Sequence, residues 1–167
     1  MRRYANAALA GILIALAPGA AAQAAPPTGG GWVKEPTPPF DFPAGVPCDF
    51  AVHGEPIVDE VYYKDISETT QLAVGPLIYE VSNPATGAST RADASSSAVL
   101  IHRADGSQTW LLHGPLLLRF REGNGNLPRG LYNLTGPAWR LDISSEGRLT
   151  VSGNYRITKD VCATLQP

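Results

Sequence analysis

The stretch PLLLRFRE (115–122) alternates: Leu116, Leu118 and Phe120 fall on one side, Arg119 and Arg121 on the other. A repeat of two is the signature of a half-buried strand. The stretch before it, SAVLIHRADGSQTWLLHG (97–114), is apolar on both sides. Val99 and Ile101 oppose Leu100 on the first arm; Trp110 and Leu112 oppose Leu111 on the second. Strands apolar on both faces sit inside a sheet, so a central hairpin is expected here. Asp105-Gly106 supplies its turn, through two or three residues.

A third pair can be placed in register on paper. In AWRLDIS (138–144), Trp139, Leu141 and Ile143 alternate with Arg140, Asp142 and Ser144. A three-residue loop, Ser145 to Gly147, sets Ile143 against Leu149 and Leu141 against Val151. A two-residue turn would set these leucine and isoleucine side chains against Thr150 and Ser152. A one-residue slip sends an apolar set to the wrong face, so the longer loop is predicted, with Gly147 in its left-handed position. Earlier strands are expected within IVDEVYYKD (57–65) and QLAVGPLIYEVS (71–82).

Between these runs the turn formers recur. VSNPATGAST (81–90) ends an apolar run abruptly: Asn83 can bond its own backbone two residues on, Pro84 presets φ, and Gly87 accepts a positive φ. This reads as a corner. No stretch holds a 3.6 repeat long enough for a helix. Many short strands with frequent turns predict an all-β fold: a small antiparallel β-barrel of about eight strands, with a β-sandwich as the alternative.

The ends differ from this body. Arg2 and Arg3 precede an apolar stretch, Pro18-Gly19 interrupts it, and Ala22-Gln23-Ala24 has the small-x-small form of a cleavage site. Residues 1–24 are read as a signal peptide cut near Ala24, and the mature protein as secreted and extracellular. The apolar run is well short of the ~20 residues that cross a bilayer. Residues 25–47 are rich in proline and glycine and are expected to form a disordered arm, with an aromatic among Trp32, Phe40 and Phe42 docking on the body. Residues 48–167 form the β domain, long enough for one core.

Loss of the two leader arginines takes Lys+Arg from 13 to 11 against 15 Asp+Glu. A mildly acidic chain without a basic stripe is a poor partner for nucleic acid or an anionic membrane. The cysteines, Cys48 and Cys162, bracket the β domain, and in a secreted chain an even count predicts one disulfide.

Candidate chemistry is sparse. His102 and His113 lie on one hairpin: a two-residue turn separates them by roughly 13 Å at ~3.3 Å per residue, and a three-residue loop puts them on opposite faces. With His53 they make no metal site, and neither metal nor cofactor is expected. No G-x-S-x-G is present. Asp59, Glu60, Glu80 and Asp142 are carboxylates on predicted strands, and residues 122–126 (EGNGN) lack the acidic density of a calcium loop.

The order of CDF (48–50), NPATG (83–87), DGS (105–107), Gly114, PRGL (128–131), Gly136, Gly147, Gly153 and DVC (160–162) resembles a family of small secreted actinobacterial proteins of unknown function. The resemblance spans nearly all of 48–165. It implies a compact β-barrel with a disulfide joining its ends, similar to lipocalin and allene oxide cyclase barrels in fold only, and it carries no catalytic residue. The function expected is non-enzymatic: binding of a small apolar ligand, or surface interaction with an unknown extracellular protein. Tyr62, Tyr63, Tyr79, Trp110 and Trp139, with His102 and His113, are the candidate ligand-binding residues. The alternatives are an isomerase or hydrolase with a barrel pocket, using scattered carboxylates and His102 or His113, and a protein-interaction or inhibitor module acting through loop 122–130 or the arm.

Overall fold

The structure, a computed structural model, describes residues 15–16 and 30–166; the expected cleavage near Ala24 lies outside the described residues. Two open sheets replace the expected barrel. The smaller runs in the order β1 (Ala15–Leu16), β8 (Ser89–Asp93), β7 (Leu77–Ser82), β4 (Val52–Asp59) and β3 (Phe40–Phe42). The larger runs β12 (Leu149–Asp160), β11 (Gly130–Ile143), β10 (Gln108–Phe120), β9 (Ser97–His102), β6 (Thr70–Val74), β5 (Tyr62–Asp65) and β2 (Val33–Lys34). All pairings are antiparallel except that of β1 with β8. A five-residue helix, α1 (Val161–Leu165), follows, its first turn capped by the Asp160 side chain.

The barrel fails for a local reason. The two apolar runs each hold two strands, broken at Glu60-Val61 and at Gly75-Pro76, and the breaks lie side by side: Glu60 N–H donates to the Pro76 carbonyl at 2.9 Å. A Cβ on Gly75 would stand 1.9 Å from the Glu60 carbonyl oxygen, so only glycine fits. At this crossing the chain passes from β4 in the smaller sheet to β5 in the larger, and returns from β6 to β7. The arrangement is sandwich-like, the alternative named above.

One core lies between the sheets. Phe40, Tyr79 and Val81 meet Leu117 and Leu131 of the larger sheet and Val161 and Leu165 of α1. Leu117 therefore points away from Leu116 and Leu118, and its partner in alternation, Arg119, stacks on the Phe42 ring at 4.4 Å. The second core belongs to the other face of the larger sheet, where Leu100, Leu118, Trp139, Leu141 and Val151 pack together. Among the described residues no further layer covers it, and the sheet coils around it. The segment after β10 reaches back to β12, with a bridge between Gly125 and Leu149, and Asn126 exchanges two hydrogen bonds with the Val151 backbone.

The coil turns at one glycine in each long strand. Gly114 (φ +94°) pairs with Gly136 beside a β-bulge, and Gly153 (φ +90°) lies next to it on β12. A Cβ on Gly136 would stand 2.0 Å from the Asn154 carbonyl oxygen. Bulges and glycine kinks bend strands in this way.

Register follows the sequence reading elsewhere. Ile143 faces Leu149 and Leu141 faces Val151, with Gly147 at φ +79°. The 97–114 hairpin is central and closes through three residues, since Arg103 and Ser107 pair. The Asn83 corner has its expected form: its Oδ1 accepts from Ala85 N–H at 3.0 Å, and Gly87 has φ +73°. It also does more, because Asn83 is buried and its Nδ2 donates to the Leu165 carbonyl at 3.2 Å, anchoring α1.

The sheets are tied by three further contacts. The buried Asn133 carboxamide accepts from Asp93 N–H at 2.9 Å and donates to Asp93 C=O at 2.8 Å, imitating a strand pair. Lys159 donates to Thr90 Oγ1 and the Arg91 carbonyl. Cys48 and Cys162 form the expected disulfide, with Cα atoms 5.3 Å apart. The described part of the arm is more ordered than its composition predicts. Phe40 and Phe42 are buried because β3 adds to the β4 edge, and Trp32 lies near Lys64 beside β2. No helix among the described residues is long and apolar enough to cross a membrane.

Two outcomes test this account. Replacing both cysteines by serine opens a loop of 114 residues and is expected to lower unfolding free energy by about 4 kcal/mol in a denaturant titration. Gly136→Ala forces β11 and β12 apart at the bend and is expected to cost roughly 1–3 kcal/mol, with the denaturant slope unchanged.

Candidate functional site

Before the bend, toward the hairpin tips, the face of the larger sheet opposite its coiled core is uncovered among the described residues. Cross-strand register places its side chains in rows. Leu72 faces Val99, Val99 faces Leu111, Leu111 faces Arg140 and Arg140 faces Ser152, one row across five strands. The next row toward the bend begins with Ser97 opposite His113, where the bulge brings Pro137: its carbonyl lies 2.8 Å from His113 Nδ1. Together these rows line a cleft of about 700 Å³ whose walls are almost wholly apolar. Its volume is that of a small-molecule site. Leu111, in the middle strand, is 45% exposed; a large apolar side chain at the centre of a sheet normally has a covering layer.

Toward the hairpin tips the same face turns polar. Thr109, 3% exposed, donates to Asp142 Oδ1 at 2.6 Å and accepts from Arg103 Nη2 at 2.8 Å. Arg140 grips the same carboxylate twice, Nε and Nη2 each at 2.6 Å. These bonds hold the Asp142 carboxyl below the usual carboxylate range, the Arg140 contact contributing most. A smaller recess of about 250 Å³ lies here, bordered by Arg103, Ser107, Arg140, Asp142, Arg148 and Thr150. Arg140 lines both hollows.

The residues singled out from sequence do not form one constellation. His113 and Trp139 line the cleft, His113 from the open face and Trp139 from within the sheet, its Nε1 donating to the Gly114 carbonyl at 3.0 Å. Tyr79 is fully buried between the sheets. Trp110 packs against the coiled core and donates to Gln108. His102 pairs with Gln108 near the hairpin tip, five residues of β10 away from His113, so the two point to opposite faces. Tyr62 lies on β5 and donates to Glu60 at 3.4 Å. Among the described residues no three His, Cys, Asp or Glu side chains could share a metal ion.

Of the cleft lining, sequence reasoning named only His113 and Trp139 as ligand-binding residues; Leu72, Val74, Val99, Leu111, Pro137 and Arg140 were not among its candidates. Val99 and Leu111 carried the signal, as the surplus apolar side of the central hairpin.

The carboxylates are engaged elsewhere. Asp59 accepts from Thr37 N–H at 2.6 Å and Thr37 Oγ1 at 3.2 Å, and Glu60 pairs with Lys34 at 2.8 Å. Among the described residues, the one carboxyl raised well above its ordinary value is Asp93, pushed by burial to about 6. It sits on β8 under the Asn133 carboxamide, away from both hollows. Loop 122–130 is occupied structurally: Asn126 caps β12, and Arg129 pairs with Asp49. Compared with known proteins, the chain matches no family model, no curated protein and no solved structure.

Proposed function

We propose that this is a secreted, non-enzymatic binding protein that takes a small, largely apolar ligand in the cleft over β6, β9, β10 and β11. One observation carries the reading. The middle of the larger sheet presents Leu72, Val99 and Leu111 in one row to a hollow of about 700 Å³, with Leu111 left 45% exposed. Exposed apolar patches of this kind mark ligand or partner sites. The hollow's floor is regular β-sheet, pinned from behind by the coiled core, and a rigid floor lowers the ordering cost of binding. A hydrolase or isomerase reading needs a carboxyl or imidazole poised near neutral pH inside a hollow. The carboxyl raised by burial, Asp93, lies outside both, and Asp142 in the recess is shifted the other way, below the usual carboxylate range. The resemblance to small secreted barrel proteins fits an exported binding protein and adds no chemistry.

Protein purified from its own culture medium is expected to carry a ligand visible by native mass spectrometry, or to bind the neutral probe N-phenylnaphthylamine with a rise in fluorescence. Leu111→Arg puts a charge at the centre of the cleft. It should weaken probe binding at least about tenfold, or 1.4 kcal/mol, and leave stability within about 0.5 kcal/mol, because the site is exposed. Absence of both a retained ligand and probe binding in the wild-type protein sinks the proposal.

A further inference from the structure

The two hollows lie on one face and meet at Arg140, and their chemistry is opposite. We infer that the ligand is a single-chain amphiphile with an anionic head: the apolar cleft holds the chain, and the recess between the hairpin tips holds a carboxylate head. This rests on the reading of the cleft as a ligand site.

The register shows the continuity. On β10, His113, Leu111 and Thr109 fall on the same face, with Ser107 just before the strand begins; on β11, Arg140 and Asp142 do, with Ser144 just past its end. His113 and Leu111 line the cleft, and Ser107 lines the recess. Six residues separate His113 from Ser107, about 20 Å at ~3.3 Å per residue. A long-chain acyl group spans that distance.

Charge points to the head. The guanidinium groups of Arg103, Arg140 and Arg148 border the recess against one carboxylate, Asp142. Asp142 is fully engaged by Arg140 and Thr109. Arg103 and Arg148 are in no ion pair among the described residues. Arg103 reaches the Thr109 and Ser107 hydroxyls, and Arg148 the Gly123 carbonyl, so each keeps unused N–H donors. The two other acids nearby turn into their own loops. Asp105 accepts from the Ser107 backbone and hydroxyl, and Glu146 accepts from the Ser144 and Ser145 hydroxyls; neither borders the recess. Two exposed guanidiniums with donors to spare, one from each hairpin, suit a bidentate oxyanion.

The test compares hexadecanoate with hexadecanol, both below their aggregation limits, as competitors of N-phenylnaphthylamine on the intact mature protein. Hexadecanoate should compete about tenfold better at low ionic strength, and the advantage should shrink in high salt as the head contacts are screened. The Arg103→Gln/Arg148→Gln double variant should lose the advantage and bind hexadecanol unchanged. Both side chains are exposed, so thermal melting should not move; if the double variant melts early, the single variants give the same reading, each losing part of the advantage. Equal competition by acid and alcohol overturns the anionic head and leaves the apolar cleft standing. Failure of the probe itself to bind removes both. Binding to phosphatidylglycerol vesicles without competition by hexadecanoate overturns the inference in favour of a membrane surface.

Discussion

A sheet face that is apolar and has no second layer to cover it must cover itself. That constraint governs the larger sheet. Leu100, Leu118, Trp139, Leu141 and Val151 all project from one side of it, and burying each large apolar side chain is worth roughly 1.5–3 kcal/mol. The strands can wrap around this cluster only by bending, and they bend where two backbones touch. The Asn154 carbonyl lies so close to Gly136 that a methyl group there would overlap it, while Gly114 and Gly153 take φ values that side chains resist. The bulge that makes the bend also turns Pro137 and His113 onto the open face, at the border of the cleft. The cleft is thus a by-product of the way the sheet buries its other side.

What local sequence encodes, it encodes clearly. Gly147 after Ser145-Glu146 sets the loop length, and with it the pairing of Leu141 with Val151. Asn83, Pro84 and Gly87 form the corner their types imply. The cysteines pair. The sheet count was not legible, because it depends on contacts between Glu60-Val61 and Gly75-Pro76, and neither dipeptide announces that the other lies beside it. The order of the arm escaped for a similar reason. Phe40 and Phe42 alternate for only three residues, and they gain their burial from β4 and from Tyr79, 5.3 Å from Phe40 by ring centroid. The site was half legible: Val99 and Leu111 were visible as a second apolar side, the mark of the central hairpin they belong to, but nothing local to them says whether that side is covered.

That surplus is costly to a protein with no use for it. Exposed apolar rows invite association, and open sheets carry strand edges that invite it further. The larger sheet protects its β12 edge at Leu149 to Val151 with loop 123–126, and places Arg156 and Lys159 farther along. It gives no such protection to the row through Leu111. Beside that row it places the Arg103–Thr109–Asp142–Arg140 network, in which the buried hydroxyl of Thr109 both donates and accepts. A hydrogen-bonded lattice of this kind fixes side-chain positions more than it stabilises the fold, since exposed ion pairs contribute little. Fixed positions are what a binding surface requires.

The same three strands serve stability at one end and the open face at the other. Beyond the bend, Leu117, Leu131 and Asn133 lock β10 and β11 to the smaller sheet, and β12 runs into α1, the disulfide and the Asn83 anchor. On the near side, Leu111, Arg140 and Ser152 border the cleft and are not part of the core those elements share. The glycine line separates the two regions. The coiled core spans that line, with Leu118 and Leu141 in one cluster. Leu111 and Arg140 on the open face and Leu117 and Asn133 under the smaller sheet nonetheless share no core cluster, so the effects of substituting one pair and the other should add, as effects of distant independent sites do. The open face is therefore free to change its side chains, and hence its ligand, without drawing on the interactions that keep the chain folded.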